Sequence, residues 1–171
     1  MVRRRSPARG FTLVELMVVI AIIGILAALV IGIVTRPVGA NPRNVASQIA
    51  STLGLAKMRA ASTRYAHRIV VEPRQITMYV ATETGLKASP FSTVPLQTLR
   101  IPSGVTIWDA VAGADAAAPT EANDALAYEI IYRPDGQATA TSIFVTDSAA
   151  SKKFRVRVYH VTGGSYAREN W

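Results

Sequence analysis

The apolar positions of this chain fall into three successive patterns. From Phe11 to Val34 almost every residue is apolar, broken only by Thr12, Glu15, Gly24 and Gly32, and the 19 residues from Leu16 to Val34 carry no charge. A helix of these 24 residues would be about 36 Å long, against a bilayer core of about 30 Å. The segment 11–35 therefore reads as a transmembrane helix. Residues 36–42 follow with Pro37, Gly39 and Pro42, a composition that kinks or breaks a helix and marks a linker.

The second pattern has helical period. Val45, Ile49, Leu53, Ala56 and Ala60 lie at spacings of four, four, three and four, which draws one apolar stripe along a helix from about Arg43 to Arg64. Lys57, Arg59 and Arg64 fall largely off that stripe and read as its solvated face.

From His67 onward short alternating runs separated by turn residues predict strands. His67–Glu72 and Gln75–Ala81 flank Pro73-Arg74, a hairpin, and Leu96–Ile101 and Val105–Asp109 flank Pro102-Ser103-Gly104. Leu126–Tyr132, Ala138–Thr146 and Lys153–Val161 bring the set to about seven, with the alanine-rich stretch 110–125 as a long surface loop. The expected fold is α+β. An N-terminal transmembrane helix precedes a second, amphipathic helix packed on an antiparallel β-sheet or β-sandwich.

Composition sharpens this outline. The 171 residues include no cysteine, which excludes zinc–thiolate sites, iron–sulfur clusters and thiol catalysis. Basic residues outnumber acidic ones by 19 to 11, but Arg3, Arg4, Arg5 and Arg9 all precede the apolar stretch. By the positive-inside rule these arginines hold the N-terminus in the cytoplasm and send residues from about 36 outward. A secretory signal peptide would have a shorter apolar core and a small-residue cleavage site, and Thr35-Arg36-Pro37 is a poor match to one. Glu15 does not suit a plain anchor. A carboxylate at the centre of a membrane helix costs about 2.5–3.5 kcal/mol, less near the interface, and requires a partner or a function.

The run Arg9-Gly10-Phe11-Thr12-Leu13-Val14-Glu15-Leu16-Met17-Val18-Val19-Ile20, continuing to Ala27, closely resembles the leader and first helix of type IV pilins and type II secretion pseudopilins. The resemblance implies that a prepilin peptidase cleaves between Gly10 and Phe11, removing residues 1–10, and that the new amine of Phe11 is methylated. It also implies that Glu15 neutralises the N-terminal ammonium of a neighbouring subunit during filament assembly. The physics is consistent with that role, because pairing a buried cation with a buried anion offsets a desolvation cost that either alone would bear in full. Of the 19 basic residues four leave with the leader, so the mature chain has 15 against 11 acidic residues.

Three further segments resemble minor pseudopilins of the H type and their FimT relatives in type IV pilus systems. These are the helical Leu53-Gly54-Leu55-Ala56-Lys57-Met58-Arg59-Ala60-Ala61, the turn Tyr132-Arg133-Pro134-Asp135-Gly136, and the closing Thr162-Gly163. The likeness implies a pilin-like subunit, residues 43–171 being the exported domain of a single-pass inner-membrane protein that enters a periplasmic pseudopilus. Its implied partners are other pseudopilins or pilins, with the secreted substrates or the outer-membrane channel as further contacts.

Nothing in the exported part reads as an enzyme or a cofactor site. His67 and His160 sit in separate strands, and no nucleophile motif, phosphate-cradling loop or metal-spaced cluster occurs. Asp109, Asp115, Glu121 and Asp124 share the long loop, but their spacing fits no compact calcium loop. One charge cluster stands out. In the strand Lys153–Val161 the residues Lys153, Arg155, Arg157 and Tyr159 share one face, with Phe154, Val156 and Val158 on the other. Such a face could track a phosphate backbone, and it equally suits a surface strand guarded by charge against aggregation. Two functions follow: a structural pseudopilin near the filament tip of a secretion system, or a FimT-like minor pilin that places Lys153, Arg155 and Arg157 on DNA.

Overall fold

In the computed structural model, which describes residues 13–34, 41–85 and 90–171, the first element is a 22-residue helix, α1 (Leu13–Val34). Its side chains are described as far as Gly24, and among the described residues no helix is long and apolar enough to cross a membrane. Gly10, Phe11 and the linker positions 36–40 lie outside the described residues. The chain divides into two units, Met1–Gly39 and Ala40–Trp171, each considered by itself.

The second unit opens on α2 (Pro42–Thr63). Asn41 caps it, its Oδ1 accepting the Arg43 N–H at 3.0 Å, and Pro42 occupies the first helical position, where its missing N–H costs nothing. Pro42 thus starts this helix. The expected stripe is buried: Val45, Ile49, Leu53, Ala56 and Ala60 are all in the core. Ile49 and Leu53 are wholly enclosed, each contributing about 1.5–3 kcal/mol of apolar burial. Arg64 ends the helix with φ 64°, its N–H returning to the Ala60 carbonyl at 3.1 Å.

Eight strands follow: β1 (Tyr65–Val71), β2 (Gln75–Thr84), β3 (Gln97–Arg100), β4 (Val105–Ala112), β5 (Tyr128–Tyr132), β6 (Thr141–Asp147), β7 (Lys153–Val158) and β8 (Ser165–Glu169). They form two antiparallel sheets, ordered β3-β2-β1-β5 and β4-β6-β7-β8. The alternatives of one sheet or two therefore resolve to two. The α2 stripe completes a single apolar core with Ile69, Val71, Ile76 and Ile130 of the first sheet and Ile107, Ile143, Val145 and Val156 of the second.

Two expectations need correction. Arg59 does not point into solvent; it reaches across β2, its guanidinium 3.8 Å from Met78 Sδ and 3.5 Å from Gln97 Oε1. The 110–125 loop begins three residues late, because a bulge between Ile107 and Asp109 shifts the alternation and carries β4 on to Ala112.

Candidate functional site

Strand β7 keeps the alternation expected of it. Phe154, Val156 and Val158 are buried in the core, and Lys153, Arg155 and Arg157 line the outer face at intermediate exposure. Cross-strand partners extend that face, with Phe144 and Arg168 opposite Arg155, and Ser142 and Tyr166 opposite Arg157. Tyr159 packs edge-on against Tyr166 with ring centroids 6.1 Å apart.

The cationic face is roofed by the loop that follows β4. Arg157 pairs with Asp115 at 2.7 Å, and Arg155 donates to the Ala116 carbonyl at 2.9 Å. Ser142 Oγ reaches the carbonyls of Gly113 and Ala114 at 2.9 and 3.0 Å. At its far end the loop is held by the Asn123 N–H on the Trp108 carbonyl (2.8 Å) and by Asn123 Nδ2 on Asp109 Oδ1 (3.2 Å). Burial, with the Arg157 charge beside it, pulls the Arg155 guanidinium below its ordinary pKa.

The other side of this face is closed by the chain end. Asn170, at φ 68°, donates its N–H to the Lys153 carbonyl at 2.9 Å and turns Trp171 back over the sheet. The Trp171 ring meets Phe144 edge-on at 5.1 Å and Trp108 at 6.4 Å, and Lys153 Nζ lies 4.4 Å from its centroid. Phe144 is buried by these contacts although it points away from the main core. Sequence reasoning brought Lys153, Arg155 and Arg157 together correctly but missed Ser142, Trp108 and Trp171. The available signal is an indole directly after the polar run Arg168-Glu169-Asn170.

The remaining candidates separate. Asp115 is committed to Arg157 and Asp109 to the Ala110 and Asn123 nitrogens, and among the described residues no three His, Asp or Glu side chains come together to hold a metal. His67 is buried, its Nδ1 3.0 Å from the Tyr65 carbonyl, whereas His160 is exposed. Glu15 lies in the first turn of α1, and Leu13, Val14, Leu16, Met17, Val18, Val19, Ile20, Ile22 and Ile23 are exposed around it.

The three segments of H-type resemblance meet at one point. Gly163, at φ 57°, lies against the Gly136 carbonyl of the Pro134-Asp135-Gly136 turn, and a Cβ there would stand 3.5 Å from Lys57 Cδ of α2. The turn itself is closed by the Gly136 N–H on the Arg133 carbonyl (3.0 Å) and the Gln137 N–H on Asp135 Oδ1 (2.9 Å). These residue types at these places serve a junction between helix, turn and closing hairpin.

Residues 5–31 match the family described as the prokaryotic N-terminal methylation motif. No curated protein matches the chain in sequence. Among solved structures, the minor pseudopilin EpsH from the type 2 secretion system of Vibrio cholerae superposes with a TM-score of 0.53 at 14% identity, covering 77% of this chain and 97% of that one. The solution structure of Escherichia coli GspH gives 0.52 at 18% identity, covering 79% and 94%. The chain resembles a minor pseudopilin of the H type. In that fold the helix–turn–hairpin junction is the part carried by the resembling segments, and the roof over β7 is built from residues outside them.

Proposed function

We propose that this chain is a minor pseudopilin of a type II secretion pseudopilus, a structural subunit near the filament tip that supports export of folded proteins across the outer membrane. The observation that carries the reading is the joining of a methylation motif at residues 5–31 to an H-type pseudopilin fold in one chain. On this reading residues 1–10 are the leader, cleavage falls between Gly10 and Phe11, and residues 11–35 span the inner membrane with the N-terminus cytoplasmic. Residues 43–171 then stand in the periplasm. The chain acts as a substrate of the prepilin peptidase and is not itself an enzyme. The exposed apolar side chains of α1 support the placement, since a helix apolar on every side needs lipid or other helices around it. Glu15 is the assembly contact, pairing with the ammonium of a neighbouring subunit's Phe11.

The DNA-binding alternative rests on Lys153, Arg155 and Arg157. It is the weaker reading on geometry, because Arg155 and Arg157 hold the 113–124 loop and would reach a phosphate only if that loop moved.

The test is the Glu15→Ala variant of the full chain in its own cell. Cleavage at Gly10 is expected to proceed and incorporation into filaments to be lost. Normal incorporation would refute the assembly role of Glu15.

A further inference from the structure

The sheet β4-β6-β7-β8 ends in an unpaired edge at β8. Its hydrogen-bonding phase follows from two bonds that flank the ladder, Asn170 N–H to the Lys153 carbonyl at 2.9 Å and Tyr159 N–H to the Gly164 carbonyl at 3.0 Å. Those bonds make Arg155–Arg168 and Arg157–Tyr166 the bonded pairs. Ser165, Ala167 and Glu169 therefore turn their N–H and C=O groups away from β7, and no described residue bonds to these groups.

On the inner face of this edge lies α2. Ser165 Oγ ties the two together by donating to the Ala50 carbonyl at 2.8 Å. On either side of that tie the space between helix and strand opens into a groove. A section of about 440 Å³ is bounded by Leu55, Met58 and Tyr166, and one of about 350 Å³ by Ser47, Ala167 and Glu169. Met58 and Tyr166 are each 63% exposed, and nothing lies within 4 Å of the place a Cβ would take at Gly54. Arg43 and Lys57 of α2 border the groove, Arg168 borders it from the outer face of β8, and Glu169 is the only carboxylate among the lining residues.

We propose that β8 and the α2 groove form a strand-accepting site for an extended, acidic segment of another subunit. The incoming backbone would bond to Ser165, Ala167 and Glu169. Its side chains on the α2 side would be apolar and enter the groove beside Met58 and Leu55, and its carboxylates, alternating onto the outer face, would meet Arg168, with Arg43 and Lys57 adding to the positive field. Main-chain bonding supplies affinity in such an arrangement and the alternate side chains supply selection. Unpaired edges invite any strand, and the excess of positive charge here repels basic ones while admitting acidic ones. That the donor is another filament subunit rests on the pseudopilin reading; the chemistry of the groove does not.

The test uses the full chain in detergent micelles and a short synthetic peptide alternating glutamate and valine, with a lysine–valine peptide as control. Binding of the acidic peptide, weakened by salt, is expected to slow hydrogen exchange at the amides of Ser165, Ala167 and Glu169, and the lysine peptide is expected not to bind. Ala167→Pro removes one outward N–H while leaving the bonded pairs intact, and should weaken binding about tenfold. Arg43→Glu combined with Arg168→Glu, both at exposed positions, should abolish binding of the acidic peptide and permit the lysine peptide, which tests the site even if the proline variant fails to fold. Absence of binding, binding without protection of those three amides, or protection that grows with protein concentration and ignores the peptide would overturn the proposal. Peptide binding in micelles requires no filament, so a failure here is distinguishable from a failure of the Glu15 experiment.

Discussion

The backbone carbonyl of Gly136 fills the space in which any side chain at Gly163 would begin. Gly163 also holds φ 57°, in the left-handed region that costs a side-chain-bearing residue about 1–2 kcal/mol. The close approach joins the Pro134-Asp135-Gly136 turn to the β7–β8 hairpin, with the Lys57 stem of α2 alongside. Gly163→Ala must open this junction. It is expected to destabilise the folded chain by about 2–4 kcal/mol, overlap adding to the backbone cost. Denaturant unfolding of the variant measures this, and a loss under about 0.5 kcal/mol would show that the turn can withdraw freely.

The Arg157–Asp115 pair at 2.7 Å is asymmetric: the Arg157 side chain is 18% exposed and that of Asp115 72%. An exposed partner limits the pair to about 1 kcal/mol or less. Asp115→Ala should therefore change global stability little while releasing the 113–124 loop from the sheet. Faster proteolytic cleavage within that loop, at an unchanged unfolding midpoint, is the expected result. Unaltered cleavage would mean that Ser142 and Arg155 hold the loop unaided.

Tyr132 is wholly buried, its hydroxyl has no hydrogen-bond partner among the described residues, and burial raises its pKa. An unsatisfied buried hydroxyl opposes folding. Tyr132→Phe should leave stability unchanged or raise it by about 0.5–1 kcal/mol. A loss above about 1 kcal/mol in denaturant unfolding would reveal a partner for the hydroxyl.

Stability should fall on mild acidification, through His67. Burial holds its pKa below 6.5, the Arg59 charge acts in the same sense, and the Tyr65 carbonyl opposes them. The unfolded chain therefore takes up a proton that the folded chain refuses, so stability declines as pH drops below about 6.5 and levels off beneath the folded pKa. The Asp147 carboxyl is held low by the Ser151 hydroxyl and the Lys152 amide, and its contribution is lost only below about pH 4. His67→Gln should flatten the pH dependence between about 7 and 5. An undiminished slope would assign it to another group.

Much of the exported fold is legible in the sequence, for local reasons. The α2 stripe has clean helical period, and seven strands carry enough apolar alternation or flanking turn chemistry to be placed. β8 escapes because Ser165-Tyr166-Ala167-Arg168-Glu169 has no apolar alternation; it is an edge strand whose inward positions are small or polar and lie beside α2. The Trp108 bulge hides the end of β4, since an extra residue reverses the phase that alternation relies on. Local pattern also cannot show that β5 leaves the β4 sheet to pair with β1. At the site, the shared face of Lys153, Arg155 and Arg157 follows from strand period alone. The roof over it depends on Asp115, Ser142 and Trp171, which lie 27 to 56 residues apart from one another and meet only after the sheet has formed.

The most direct test of the pseudopilin reading is the exported-protein profile of a strain deleted for this chain and complemented with wild type or with Glu15→Ala. The account predicts that secreted hydrolases accumulate in the periplasm of the deletion strain and that wild type alone restores their release. Unchanged secretion in the deletion strain would contradict it and turn attention to pilus assembly and DNA uptake.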